Sequence, residues 1–103
     1  MKYCMIFCAA SSKQEGEKIA DILLKARLAS CVQFIPMTSR YWWQGTIEHT
    51  DEIQLCIKTR EDLYEQIQEK IKENHSYKVP EIIKIQIDTG LPDYLKWISN
   101  ETC

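Results

Sequence analysis

The residues that decide the fold are CVQFIPMTSRYWW (31–43), QG (44–45) and TIEHTDEIQLCIKT (46–59). Both long segments are rich in β-branched and aromatic residues, which favour strands. Residues 53–58 also alternate between apolar and polar side chains, as a half-buried strand does. A glycine between two such segments indicates a tight hairpin turn. The sequence therefore predicts one long β-hairpin at the centre of the chain.

The register of this hairpin follows from its turn. If Gln44 and Gly45 form the loop, apolar residues face each other on one side of the two strands in the pairs Val32–Ile57 and Phe34–Leu55. Register is normally specified by such a shared apolar side, because a slip of one residue moves every side chain to the other face.

The predicted hairpin is longer than the subunit that carries it. Arms of about thirteen residues, at about 3.3 Å each, reach roughly 43 Å. A domain of this length has a diameter on the order of 34 Å. The hairpin must therefore bend at Pro36, since proline is tolerated at a bulge or an edge, or project from the body.

A projecting tip would carry Tyr41, Trp42 and Trp43. Exposed apolar area of this size usually marks an interface, and a long edge strand is normally covered. The alternative is that the tryptophans fold back onto their own core. We expect these three residues to form an interface between subunits.

The segment before the hairpin predicts a strand and a helix. Residues 3–8 form a continuous apolar run, which we expect to be a strand buried on both faces. Ser12-Lys13-Gln14-Glu15 has the form of a capping box, and apolar residues follow it at helical spacing. We expect this helix to continue to about Leu28.

The segment after the hairpin predicts a helix, a strand and a last helix. Residues 59–62 are expected to cap the second helix, which ends at Asn74-His75-Ser76. Residues 82–87 alternate as a strand, with Ile83, Ile85 and Ile87 on one face. Pro92 stands where a first-turn proline begins a short helix.

The predicted order is β-α-β-β-α-β-α within one domain, residues 1–103. Its first six elements have the split βαβ order of a ferredoxin-like α+β fold, with an antiparallel sheet and both helices on one face. A formal net charge of −2 argues against the basic surface that nucleic acids or membranes require. No segment approaches the ~20 apolar residues of a membrane span.

The five cysteines predict free thiols. Their number is odd, and they form no Cys-x-x-Cys pair: Cys4, Cys8, Cys31, Cys56 and Cys103. The apolar run at residues 3–8 is too short for a secretion signal. These features predict a reducing compartment, the cytoplasm.

Five segments are together similar to the CutA family of divalent-cation tolerance proteins: ASCV (29–32), YWWQG (41–45), IKT (57–59), HSYKVPEI (75–82) and DYLKW (93–97). This resemblance implies a ferredoxin-like subunit and a tight homotrimer built through the long hairpins. It also implies an architecture like that of PII signalling proteins and a link to tolerance of copper and other divalent cations. The family has no generally established reaction.

The resemblance points to Cys8 and His75 as metal ligands. Thiolate and imidazole favour copper or zinc over magnesium or calcium. Two ligands are fewer than the four of a structural zinc site, so trimer symmetry would have to supply the others. The alternatives are a buried apolar role for Cys8 and a helix C-terminal cation at His75. The family's second histidine is Asn74 here, and its His-Pro-Tyr is His75-Ser76-Tyr77, which weakens the site.

Nothing in the sequence indicates catalysis. It contains no nucleophile elbow, phosphate-binding loop or HExxH motif, so we expect no enzyme. Lys58, Tyr77 and Glu81 are candidates to line a cleft between subunits that binds a small anion, or else to form ion pairs that hold the subunits together. Cys31 and Cys56 are expected to be diagonal neighbours on one hairpin face, within reach of a shared soft metal or simply packed.

Two functions follow. The first is a homotrimeric copper or divalent-cation tolerance protein that binds or responds to metal. The alternative is a metal-independent trimeric scaffold, or a PII-like sensor of a small ligand.

Overall fold

The hairpin forms one edge of a four-stranded antiparallel sheet. The computed structural model describes all residues, Met1–Cys103. Its strands have the order β2-β3-β1-β4, and their bounds are β1 Tyr3–Ala10, β2 Cys31–Trp43, β3 Thr46–Arg60 and β4 Ile82–Ile87. The helices are α1 Lys13–Lys25, α2 Tyr64–Asn74 and α3 Pro92–Glu101, with a 3-10 turn at Glu61–Leu63 before α2. This is the predicted ferredoxin-like α+β order with an additional C-terminal helix.

The predicted hairpin register is confirmed. Val32 pairs with Ile57, and Phe34 pairs with Leu55. Gln44 and Gly45 both have positive φ, 50° and 84°, as a two-residue type I′ turn requires. The molecule measures 45 × 25 × 21 Å, so the hairpin projects and does not fold back. Pro36 lies within β2 and pairs with Ile53 of β3. Proline is tolerated there because β2 is an edge strand.

The core lies between one face of the sheet and the helices α1 and α2. We call this face the inner face and the other the open face. Cys4, Ile6 and Cys8 of β1 are fully buried on the inner face. They pack in one cluster with residues from β3 and both helices, among them Leu55, Ile57, Ile19, Leu23, Ile67 and Ile71.

The expectation that β1 is buried on both faces is wrong for a single chain. Its burial alternates, and Tyr3, Met5 and Phe7 on the open face are only half-buried. The physical reason is that α1 and α2 cover only the inner face. On the open face, α3 covers β1 only in part. The Tyr3 hydroxyl lies 2.6 Å from Ser99 Oγ of this helix, and Ile98 of the same helix is buried.

Two predicted helix boundaries are corrected. Helix α1 ends at Lys25 and not near Leu28. Arg27 takes a left-handed conformation with φ 59°, and the Leu28 N–H donates to the Leu23 carbonyl over 3.0 Å. This is a Schellman ending, in which a buried apolar residue follows the left-handed position.

The second correction concerns the start of α2. Thr59 does not cap this helix, because it lies inside β3 and its Oγ1 donates to the Leu28 carbonyl over 2.6 Å. Helix α2 begins at Tyr64 without a side-chain cap. Its end at Asn74 and its buried residues Ile67 and Ile71 agree with the prediction.

Of the apolar side chains that remain exposed in the single chain, two groups lie on the sheet. The first is the hairpin tip, where Trp42 is 72% exposed beside Ile47. The second is the open face, where Ile83 and Ile35 are about half exposed. No helix has the length and apolar character needed to cross a bilayer.

Candidate functional site beside the hairpin

A cleft of about 820 Å³ lies between the distal half of the hairpin and the loop that follows α2. Tyr41, Trp42 and Trp43, which the sequence predicts as an interface, line it on the hairpin side. Tyr77 and Glu81, predicted as cleft residues, line it on the loop side. Two separate sequence predictions therefore meet at one surface.

Lys58 does not lie at this cleft within one chain. It pairs with Met5 and Cys31 near the other end of β3. Its Nζ lies 5.5 Å from the centre of the Tyr94 ring of α3, a cation–π contact. A shared role for Lys58, Tyr77 and Glu81 would need a second subunit and remains a prediction.

Tyr77 is anchored by a carboxylate. Its hydroxyl donates to Glu52 Oε2 over 2.9 Å, and Glu52 is itself buried. Burial and this hydrogen bond raise the pKa of the Tyr77 hydroxyl above its ordinary value. Tyr77 therefore stays protonated at neutral pH and holds Glu52 at the inner end of the cleft.

Glu15 joins α1 to the loop after α2. Its carboxylate accepts hydrogen bonds from the Ser11 N–H and hydroxyl, each over 2.9 Å, and from the Ser76 N–H over 2.8 Å. Burial raises the pKa of Glu15, but these hydrogen bonds outweigh it and hold the pKa at about 2. The carboxylate is thus charged at neutral pH and fixes the loop that carries His75 and Tyr77.

His75 uses both ring nitrogens in hydrogen bonds to the backbone. Nε2 lies 2.8 Å from the Ala9 carbonyl, and Nδ1 accepts from the Tyr77 N–H over 3.0 Å. A carbonyl can only accept and an amide N–H can only donate, so the proton is assigned to Nε2. The side chain is 0% exposed. His75 therefore fastens its loop to β1.

Cys8 lies beneath the same loop in the core. Burial, with the carboxylates of Glu81, Glu15 and Glu52, raises the pKa of its thiol to about 12. A metal ligand must be the thiolate, so a proton would have to be displaced against this environment. Cys8 packs here as a small apolar residue.

Cys8 and His75 therefore do not fit a metal ion as folded in one chain. The thiol retains its proton, and neither imidazole nitrogen has a free lone pair directed at an ion. No group of three or more His, Cys, Asp or Glu side chains is placed to hold a metal. Metal binding by this pair stays a prediction, and it requires His75 to give up a backbone hydrogen bond.

Sequence reasoning missed Glu15 and Glu52 as residues of this site. The signal for Glu15 was present, since Ser12-x-x-Glu15 was read as a capping box. Ser12 Oγ does accept from the Glu15 N–H over 3.1 Å. The carboxylate, however, bonds the Ser11 N–H in place of the Ser12 N–H and continues to Ser76. Nothing in the sequence pairs Glu52 with Tyr77.

Comparison with known proteins agrees with the fold described above. The profile of the family described as CutA1 divalent ion tolerance protein matches residues 4–101. The divalent-cation tolerance protein CutA of Pyrococcus horikoshii is 46% identical over 86% of this chain and 87% of its own length. The crystal structure of CutA1 from Oryza sativa superposes with a TM-score of 0.97 at 36% identity, covering 100% of this chain and 95% of that one.

The name of a second similar structure includes a cellular location. The periplasmic divalent cation tolerance protein CutA of Archaeoglobus fulgidus superposes with a TM-score of 0.95 at 37% identity, covering 96% of this chain and 97% of that one. The profile match spans nearly the whole chain, and the sequence and fold similarities cover the hairpin, the cleft and α3 together. The chain belongs to the CutA1 divalent ion tolerance protein family.

Proposed function

We propose that this chain works as a homotrimeric binding protein in divalent-cation tolerance and catalyses no reaction. The observation that carries the proposal is the hairpin, which projects from its own subunit with Trp42 72% exposed. A monomer rarely leaves such an area bare, so neighbouring subunits are the natural cover. The half-exposed isoleucines of the open face support the same conclusion.

The sheet edges favour a ring of subunits. Strands β2 and β4 are the two edges of the sheet. If β2 of one subunit covers the β4 side of the next, the same contact repeats head to tail until the ring closes. Such an arrangement removes every unpaired edge, which is the usual solution for long exposed strands.

The mass in solution tests the trimer. Light scattering at micromolar concentration should give three times the 12.1 kDa of one chain. Obligate interfaces commonly bury more than ~2,000 Å², so we expect no dissociation on tenfold dilution. A monomer peak would contradict the proposal.

The second candidate is a metal-independent trimeric scaffold or sensor of a small ligand. One observation in its favour is the cleft, which combines aromatic walls with the Tyr77–Glu52 pair and Glu81. The other is that both ring nitrogens of His75 form hydrogen bonds to the backbone and are not free to bind a metal. Aromatic and apolar walls with a few fixed polar groups are typical of sites for small organic ligands. In this candidate the charge of Glu81 would orient the ligand.

A copper titration separates the two candidates. We expect Cys8→Ser to bind divalent copper as tightly as the wild type, because Cys8 is a buried protonated thiol, and Cys103→Ser to bind it more weakly, because it loses an exposed thiol. Asn74→His should bind more tightly, because it adds an imidazole at the exposed end of α2. The measurement is competition against a chelator of known affinity, with wild type as reference. A loss of copper affinity in Cys8→Ser alone would show that the Cys8 thiol ligates the metal and would support the Cys8–His75 site.

The reducing compartment is part of this proposal. All five cysteines are free thiols in the fold, which is the ordinary state in the cytoplasm. The Archaeoglobus relative is described as periplasmic, so fractionation of cells that carry this chain is the measurement that decides.

A further inference from the structure

Glu52 is a buried carboxylate with no cation beside it. It lines the cleft and is only 7% exposed, and its one hydrogen bond within the chain is the bond that the Tyr77 hydroxyl donates to Oε2. None of the salt bridges of the chain includes it. A buried charge is costly unless it is paired. We propose that the cleft binds a small organic cation, a protonated amine on an apolar or aromatic body, with its ammonium group at Glu52.

This inference rests on the second candidate function, in which the cleft holds a small ligand, and it assigns the charge of that ligand. The second carboxylate oxygen of Glu52, Oε1, accepts no hydrogen bond in the chain and is not sealed from solvent. An ammonium group offers N–H donors, and hydrogen bonds between charged groups are the strong ones. Glu52 can therefore accept from a ligand while Tyr77 continues to hold its other oxygen.

The charges around the cleft favour a cation over an anion. Three carboxylates and two cationic side chains line it: Glu48, Glu52, Glu81, Arg40 and Lys78. None of these five side chains takes part in a salt bridge within the chain. One monovalent cation would balance the excess negative charge. The prediction of a small anion relied on Lys58 as its cation, and Lys58 lies against Tyr94 of α3.

The aromatic walls suit an ammonium group. Residues paired across the hairpin share a face, and so do alternate residues of one strand. Met37 pairs with Glu52, which puts Tyr41 and Trp43 on the same side of the hairpin as Glu52. The Tyr41 hydroxyl lies 3.0 Å from Thr50 Oγ1, and this contact holds the ring in place. A cation within about 6 Å of such a ring is attracted by its negative face.

The volume of the cleft fits a small molecule. Sites for such ligands measure about 300–1,000 Å³, and the cleft measures about 820 Å³. A lysine or arginine of a neighbouring subunit is the alternative partner for Glu52, because the proposed trimer brings a second subunit to the hairpin. One such side chain would fill only a small part of the cleft, which favours the separate ligand.

Titration calorimetry on the assembled protein with three matched probes measures the charge preference. The probes are phenethylamine, 2-phenylethanol and 3-phenylpropanoate, which share a phenyl ring and are positive, neutral and negative at neutral pH. We expect one amine per chain, bound at least about tenfold more tightly than the other two probes. The reason is that a hydrogen bond to a charged group contributes more than one between neutral groups.

Glu52→Gln tests the group responsible. Glutamine keeps the shape of the side chain and still accepts from Tyr77, but it carries no charge. Affinity for the amine should fall at least about tenfold, to that for the alcohol, while affinity for the alcohol stays the same. Asp51→Asn is the matched control, because this exposed carboxylate is the next residue of β3 and lies on its opposite face. It should leave both affinities unchanged.

Three results would overturn the inference: no amine binding by the wild type, equal affinity for the amine and the alcohol, or an amine preference that survives in Glu52→Gln. Binding of the alcohol or the carboxylate without an amine preference would still support a ligand site, so the charge class can fail separately from the second candidate function. Light scattering on the same samples tests the alternative partner. Loss of the trimer mass in Glu52→Gln, with no amine bound by the wild type, would show that a neighbouring subunit supplies the cation.

Discussion

Replacing Trp42 and Trp43 together by alanine should dissociate the proposed trimer while the subunit core stays folded. Removal of a large buried aromatic side chain costs roughly 3–5 kcal/mol, so two such losses in each subunit are more than most interfaces withstand. Neither residue belongs to the core cluster under α1 and α2. The measurement is light scattering together with thermal unfolding at several protein concentrations.

The matched control is Leu24→Ala. It truncates a partly exposed apolar side chain on α1, which lies over the inner face of the sheet and away from the hairpin tip. It should leave the mass unchanged. At concentrations where the tryptophan variant still partly assembles, its midpoint should rise with protein concentration, because trimer and monomer are then in equilibrium. A double variant that keeps the trimer mass and the wild-type midpoint would mean that the hairpin tip faces solvent.

Replacing Glu15 by glutamine should remove part of the acid dependence of stability. Hydrogen bonds from Ser11 and Ser76 lower the pKa of Glu15 from 4.5 to about 2. A lowered folded-state pKa stabilises the native state above the unfolded value, and this contribution is lost as pH falls from about 4.5 to about 2. The shift corresponds to about 3 kcal/mol, and the side chain is only 12% exposed, which limits solvent screening.

Denaturant unfolding at fixed protein concentration, at neutral pH and near pH 2, measures this effect. Wild type should exceed Glu15→Gln by about 3 kcal/mol at neutral pH, and the gap should close near pH 2. Glu17→Gln, an exposed position on the same helix, is the control and should change stability by no more than about 0.5 kcal/mol. A gap that stays constant with pH would show that the Glu15 carboxylate does not hold the loop as an anion.

Most of the fold could be predicted from local patterns. The hairpin register followed from Gln44 and Gly45, because a two-residue turn fixes every pair beyond it. The helices followed from their apolar spacing. The predicted end of α1 and start of α2 were wrong because Arg27 takes a left-handed conformation and Thr59 continues a strand. Such boundaries depend on contacts that spacing does not record.

The candidate site could be predicted only in part. The aromatic residues of the hairpin tip, Tyr77 and Glu81 were identified from the sequence, and they do line one cleft. The bonds of Glu15 to Ser76 and of Tyr77 to Glu52 join residues far apart in the chain. Sequence spacing carries no signal for such pairs, because only the packing of distant segments brings them together.

By itself the sequence determined the order of elements, the hairpin and its excess length, and the family, since these depend on periodicity, turn chemistry and motifs within short stretches. Only the tertiary structure decided the chemical state of the cysteines and of His75. Cys8 is buried under α1 and α2, while Cys56 meets Met5 on the open face. The physical reason is that alternate residues of a strand face opposite environments, and what each face meets depends on helices and strands distant in the chain.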